Sequence, residues 1–159
     1  MARWGRVDYR QLERFQRRLE QLTKQEEVDK FCEDCAKELA ARLLRKVIKR
    51  TPVGQYPAES GKTGGTLRRG WKVKNGKINV DSVRKNSIKV EKQGHEYVVT
   101  IFNDVSYAPY VEFGHRTANH KSWVDGRFML TISESEIQSI APALLQKNLQ
   151  KRLQEVFRG

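Results

Sequence analysis

The chain has 159 residues, 38% of them apolar and 31% charged, and carries a net charge of +12 from 31 basic and 19 acidic side chains. That length predicts a single domain spanning residues 1–159 with a core of its own. The composition excludes a disordered chain, and no apolar run approaches the roughly 18 residues that a membrane crossing needs.

The opening Met-Ala-Arg-Trp-Gly-Arg lacks the apolar stretch of a signal peptide. The expectation is a protein made in the cytosol, with Cys32 and Cys35 reduced and no membrane partner. The excess of Lys and Arg points to an anionic partner, nucleic acid or an acidic protein face, or else to a solvated basic surface.

Asp8 to Leu22 reads as a first helix. Leu12, Phe15, Leu19 and Leu22 form one apolar stripe, and Arg10, Arg14, Arg17 and Arg18 form a basic face opposite, with Asp8 as N-cap. Val28 to Lys49 reads as a second helix, with Val28, Phe31, Cys35, Leu39, Leu43 and Val47 at helical spacing. Its acidic residues come early and its basic residues late, which complements the helix dipole, and Pro52 stops it. Residues 51–70 read as an exposed insert, with a polar loop from Gly54 to Gly65.

From Trp71 the period changes to two. Trp71 to Val73 starts a strand, and Ile78 to Val83 is either loop or short strand. Ser87–Glu91 and Glu96–Asn103 read as a hairpin across a turn at residues 92–95. Tyr107 to Phe113 reads as a short helix with Pro109 in its first turn. His115 to Asp125 reads as loop. Helical spacing returns from Phe128 onward, with Pro142 expected to kink or divide that segment. The fold class is therefore α+β: two N-terminal helices, a small antiparallel sheet with an irregular insert, and C-terminal helices packed on the sheet.

Chemistry-bearing motifs are sparse. Gly61-Lys62-Thr63 lacks the upstream glycine of a phosphate loop, whose place Tyr56 holds, and it follows a helix rather than a strand. Cys32-Glu-Asp-Cys35 lies inside a helix, with Cys35 on its apolar stripe and His115 and His120 far away in sequence. A half-buried cysteine pair is favoured over a metal or redox site. No nucleophile elbow or catalytic triad is present in the sequence, so no enzyme, cofactor or metal is expected. The arginine face of the first helix, with Trp4, Tyr9 and Trp71 as stacking candidates, keeps open a basic nucleic-acid-binding protein.

Three clauses in order carry more. The first is Thr51-Pro52-Val53, followed by Thr63-Gly64 and by Leu67-Arg68 leading to Trp71. The second is Tyr107-Ala108, with Val111-Glu112-Phe113-Gly114-His115-Arg116. The third is Gly126-Arg127-Phe128 with Leu130. Together they resemble the small neck and tail-completion proteins of long-tailed bacteriophages and phage-derived tail-like particles. One departure is that Gly54 to Lys62 interrupts what is usually a compact opening run.

The resemblance implies a virion structural protein rather than an enzyme, assembled in the host cytoplasm. It would form a ring of six-fold or twelve-fold symmetry at the neck or tail end. Tail tube, tail terminator, sheath or connector proteins would be its partners, with non-specific DNA contact at most. The contact candidates are Trp71, Tyr107, Tyr110, Glu112, Phe113, His115, Arg116, Arg127 and Phe128. Tyr107, Tyr110 and Phe113 share a helical face, expected to clamp the sheet to the terminal helix or to meet a neighbouring subunit. Glu112 and Arg116, four apart, are expected to pair. Phe113, like Trp71, is expected to be buried, at a truncation cost of about 3–5 kcal/mol.

Overall fold

The computed structural model describes residues 10–158; Trp4, Asp8 and Tyr9 lie outside the described residues. The elements are α1 (Arg10–Leu22), α2 (Gln25–Arg50), α3 (Thr66–Arg69), β1 (Trp71–Val73), β2 (Glu91–Gln93), β3 (Glu96–Val98), β4 (Ile101–Asn103), α4 (Ala108–Phe113), β5 (Gly114–Arg116), β6 (Trp123–Asp125) and α5 (Met129–Arg158). The fold is α+β, as its alternating periodicities imply.

Helices α2 and α5 run antiparallel, and polar rungs fix their register. Near one end Arg50 donates to Ser133 Oγ at 2.6 Å and to Glu136 at 2.7 Å, and Lys46 donates to Glu136 at 2.7 Å. Further along, Asn148 donates to Glu38 at 2.8 Å, and Arg152 pairs with Glu27. The ammonium of Lys46 and the guanidinium of Arg50 hold the Glu136 carboxyl below the usual carboxylate range. Helix α5 is one continuous helical element through Pro142, so the proline does not divide the segment into two helices. A mid-helix proline costs a hydrogen bond and about 3 kcal/mol, and rungs on both sides of it hold the two halves to α2.

The core gathers on the C-terminal half of α2. Ala41, Leu44 and Val47 meet Leu67, Trp71, Val73, Ile88 and Met129 there. Thr51 follows α2 in an extended conformation, the one left to a residue before proline. Its hydroxyl donates to Val47 O at 2.7 Å and accepts from Trp71 Nε1 at 2.8 Å. The buried indole is thereby tied to the end of α2 with no polar atom left over.

The strands form three separate two-stranded antiparallel ladders rather than one sheet. In the first, β1 pairs with β4 (Trp71 opposite Asn103); in the second, β2 pairs with β3 (Glu91 opposite Val98). The long strand expected over residues 96–103 is thus divided, and its second half turns to β1. Asn103 explains the turn: its side chain donates to Leu67 O at 2.8 Å and accepts from Val105 N at 3.1 Å, while Asp104 N donates to Gly70 O. Periodicity specifies a strand's faces but not its partner. The third ladder, β5 with β6, lies where a loop was expected.

Helix packing also departs from expectation. The terminal helix lies chiefly along α2, not on a sheet. Helix α1 has no buried residue; its Phe15 stacks on Phe157 at 5.3 Å and Leu12 stays exposed. Within residues 51–70, positions 52–63 are exposed, but Thr51, Leu67 and Gly70 are buried and belong to the core. Residues 78–83 are loop, anchored where Arg45 donates to Val83 O at 2.9 Å.

The β2–β3 hairpin is fastened to α2 by Asp29, which accepts from Lys92 at 2.6 Å, Tyr97 at 2.5 Å and Gln25 at 2.7 Å. The bond from Lys92, and then that from Tyr97, hold the Asp29 carboxyl at about 2. Reciprocally, the bond to Asp29 pushes the Tyr97 phenol up to about 12.

Two predictions follow from these contacts. Trp71→Ala should lower unfolding free energy by about 3–5 kcal/mol in urea titration, since it empties the centre of the core. Asp29 is depressed in the folded state, so its contribution is complete above 3.8, its ordinary value, and is lost as pH falls towards 2. Tyr97 is raised, so its contribution is complete below 10 and is lost as pH rises towards 12. Asp29→Asn should flatten both limbs of the stability–pH curve.

Candidate functional site

The second and third sequence clauses meet around α4. Ala108 and Glu112, one turn apart, face inward and are buried. The Glu112 carboxylate accepts from Leu130 N at 3.0 Å, Thr131 N at 2.9 Å and Thr131 Oγ1 at 2.8 Å. It therefore caps the start of the 30-residue helix α5. Amides there have no intrahelical acceptor, and the helix dipole favours a negative charge. The main chain adds Arg127 N to Val111 O at 2.7 Å and Phe128 N to Glu112 O at 3.0 Å.

This join requires glycine at two places. Gly114 ends α4 at φ +87°, and a Cβ there would lie 2.5 Å from Val124 O. At Gly126 a Cβ would lie 2.3 Å from Glu112 O. The β5–β6 hairpin therefore leaves α4 directly and returns beneath it, with His115 opposite Val124 and Arg116 opposite Trp123.

With its inner face committed, α4 turns its aromatic residues outward. Tyr110 is 60% exposed and Phe113 62%, and Trp123 on the hairpin is 58% exposed. Tyr107, Val124 and Phe128 are exposed as well. Tyr110 meets the half-buried His115 edge-on at 6.0 Å, and Arg116 and Arg127 are exposed nearby in the chain. Single exposed apolar residues are ordinary, but several large aromatics on one joined unit mark an interaction surface. A hollow of about 250 Å³ lies beside it, lined by Pro52, Val53, Tyr56, Tyr107 and Val111. The first clause and its insert thus border the second.

Several expected roles change. Tyr107, Tyr110 and Phe113 do not clamp the fold; Glu112 does. Glu112 does not pair with Arg116, because Gly114 ends the helix and the carboxylate reaches α5 instead. Trp71 and Glu112 are buried, with their polar atoms bonded inside this chain. On α1, Arg17 pairs with Glu13 at 3.7 Å and Arg18 donates to Val156 O at 3.3 Å, while Arg10 and Arg14 are exposed. Cys35 is buried, which pushes its thiol up, and Cys32 is half-buried. Among the described residues no group of three or more His, Cys, Asp or Glu is placed to hold a metal ion. Sequence reasoning passed over Trp123. The signal available was its apolar pair Trp123-Val124 close before Gly126.

These features define a class: a small α+β protein whose distinctive surface is aromatic and held rigidly from behind. The sequence profile of the family described as "Bacteriophage HK97-gp10, putative tail-component" matches residues 13–114. The chain belongs to this family, and with it to the structural proteins of the phage virion, which work against other virion proteins. No curated protein and no solved structure shows significant similarity to it. No helix among the described residues is long and apolar enough to cross a membrane.

Substitutions separate the inner face of α4 from the outer. Glu112→Ala should lower stability by about 1–3 kcal/mol, since it removes the cap and strands two amides. Phe113→Ala should change stability by no more than about 0.5 kcal/mol, reversing the expectation drawn from sequence. Thermal melts of the two variants side by side check both values.

Proposed function

We propose that this protein forms a ring at the neck or tail end of a phage or phage-tail-like particle, where it completes the tail or joins it to the head. The observation that carries this reading is the outward aromatic surface of α4 and the β5–β6 hairpin in a tail-component chain. Tyr, Trp, Phe and Arg are the residues that dominate the buried centres of protein interfaces. On this reading Tyr107, Tyr110, Phe113, His115, Arg116, Arg127 and Phe128 are contact residues, with Trp123 among them, while Trp71 and Glu112 hold the surface in shape. The whole chain acts as one assembly domain, made in the host cytoplasm and retained in the virion.

Residues 52–63 are the segment offered to a neighbouring tail tube, terminator, sheath or connector protein. Deleting 54–62 should leave a folded protein and weaken assembly. A ring of six-fold or twelve-fold symmetry suits the family resemblance, and copy counting on purified particles by imaging or native mass measurement tests it. A single copy per particle would refute the ring. Trp123→Ala and Phe113→Ala should each cut incorporation into particles roughly tenfold or more, as loss of a central aromatic contact does.

Contact with DNA is secondary on this reading. It should be weak, indifferent to sequence and steeply salt-dependent. Replacing Arg10, Arg14, Arg17 and Arg18 by Gln should remove it without preventing assembly.

A further inference from the structure

Two open surfaces lie away from α4. Between α2 and α5 runs an apolar groove of about 490 Å³, lined by Phe31, Leu39, Leu145 and Leu149. The cleft beside it mixes Lys85, Lys151 and Arg152 with Asp34, Glu38 and Glu155, so charge there selects no occupant. At the second surface charge does select one.

Residues 76–88 form a compact loop with a closed base. A Cβ at Gly76 would lie 2.9 Å from Ser87 O, so the two ends of the loop touch. Val83 and Ile88 are buried in the core, Ile78 and Val80 pack against it, and Arg45 donates to Val83 O at 2.9 Å. Inside the loop, Asp81 N donates to Asn79 Oδ1 and Ser82 N to Asn79 O, both at 3.0 Å, and Ser87 N donates to Arg84 O at 3.1 Å. These bonds fix the backbone. The polar residues between the anchors, Lys77, Asn79, Ser82, Arg84 and Ser87, line an open cleft of about 380 Å³ together with Ile78.

The cleft is a set of unused donors. Among the described residues, the ammonium of Lys77, the guanidinium of Arg84 and the hydroxyls of Ser82 and Ser87 have no hydrogen-bond or ion-pair partner. The one acid of the loop, Asp81, is exposed and does not line the cleft. Cations and hydroxyls converging on one space suit an oxyanion, and a guanidinium can grip a carboxylate or a phosphate with two parallel bonds. A loop already held in shape loses little freedom when such a group binds.

Two observations favour carboxylates over the phosphates of a nucleic acid. No aromatic side chain lines the cleft, so a base has no platform to stack on. Nor do the free cations continue as a track. Of the seven basic residues in 71–95, Lys72, Lys74, Lys85 and Lys92 are paired with Asp104, Glu91, Asp34 and Asp29. The carboxylates of those pairs repel a strand of phosphates laid along this face. A short acidic loop meets only Lys77 and Arg84.

We propose that the cleft of residues 77–87 binds an acidic segment of a neighbouring virion protein. Arg84 takes one carboxylate of that segment and Lys77 another, and Ser82, Ser87 and Asn79 donate to their remaining oxygens. The contact stands whether or not the chain forms a ring.

The test uses assembled particles carrying the photoreactive residue p-benzoylphenylalanine at position 82. Irradiation should cross-link it to a different virion protein, within a stretch that contains Asp or Glu. Lys77→Gln combined with Arg84→Gln should lower incorporation into particles roughly tenfold, since the docking charges are lost. Its thermal melt should be unchanged, because both side chains are exposed and unpaired. Purified wild-type chain and this variant should bind a short duplex DNA about equally. Placing Lys at the acids of the cross-linked stretch should restore incorporation to a Lys77→Glu, Arg84→Glu variant. Cross-links to DNA, to another copy of this chain or to a stretch without acids overturn the proposal, as does an absence of cross-links in particles that hold the protein. Undiminished incorporation of the Gln variant overturns it too, as does loss of DNA binding by that variant. Copy counting on the same particles reports on the ring separately.

Discussion

The carboxylate of Glu112 is the constraint on which the arrangement depends. It joins a two-turn helix to a helix five times as long by filling the acceptor positions that the first amides of α5 lack. A six-residue helix has little stability of its own, so α4 takes its orientation from this bond set and from the buried Ala108 beside it. Everything outward follows. Once Glu112 points in, Tyr110 and Phe113 have only solvent to face, and Gly114 and Gly126 can bring the hairpin close beneath them.

The long helix that receives this cap is itself positioned by charge. The rungs from α2 are mostly charged or amide groups that are only partly buried, and each is modest in energy. Their value lies in register. They fix which turn of α5 lies against which turn of α2, and the apolar core at one end of the pair then packs in one way. At the other end the same register leaves an apolar furrow open. The fold therefore divides into a consolidated end, around Trp71, Thr51 and Leu44, and an end whose apolar residues remain available.

Much of this was legible in the sequence, and the limits have physical causes. Helices α2 and α5 declared themselves by period, and Pro52 marked where α2 stops. The clauses around Thr51 and Tyr107 fall in or at the edge of the stretch that the phage tail-component family covers, and the clause at Gly126 lies beyond it. Strand partners were not legible, because alternation in residues 96–103 reports faces and is silent on which edge each half meets; the side chain of Asn103 decides that. Burial on α4 was misjudged because an aromatic helix face resembles a core face by composition. What separates them is the acid at position 112, whose destination depends on amides eighteen residues away in the chain. Trp123 was missed because a three-residue strand between polar turns carries almost no periodic signal.

Pro142 has a consequence for how α5 comes apart. The proline offers no amide proton, so the ladder of hydrogen bonds along α5 is missing a rung near its middle. Helical fraying propagates along such a ladder, and opening that begins at Arg158 meets a gap before it reaches the capped end. The segment after Pro142, which lines the furrow, can exchange its amides with solvent as a separate cooperative unit. The turn held by Glu112 keeps its protection meanwhile.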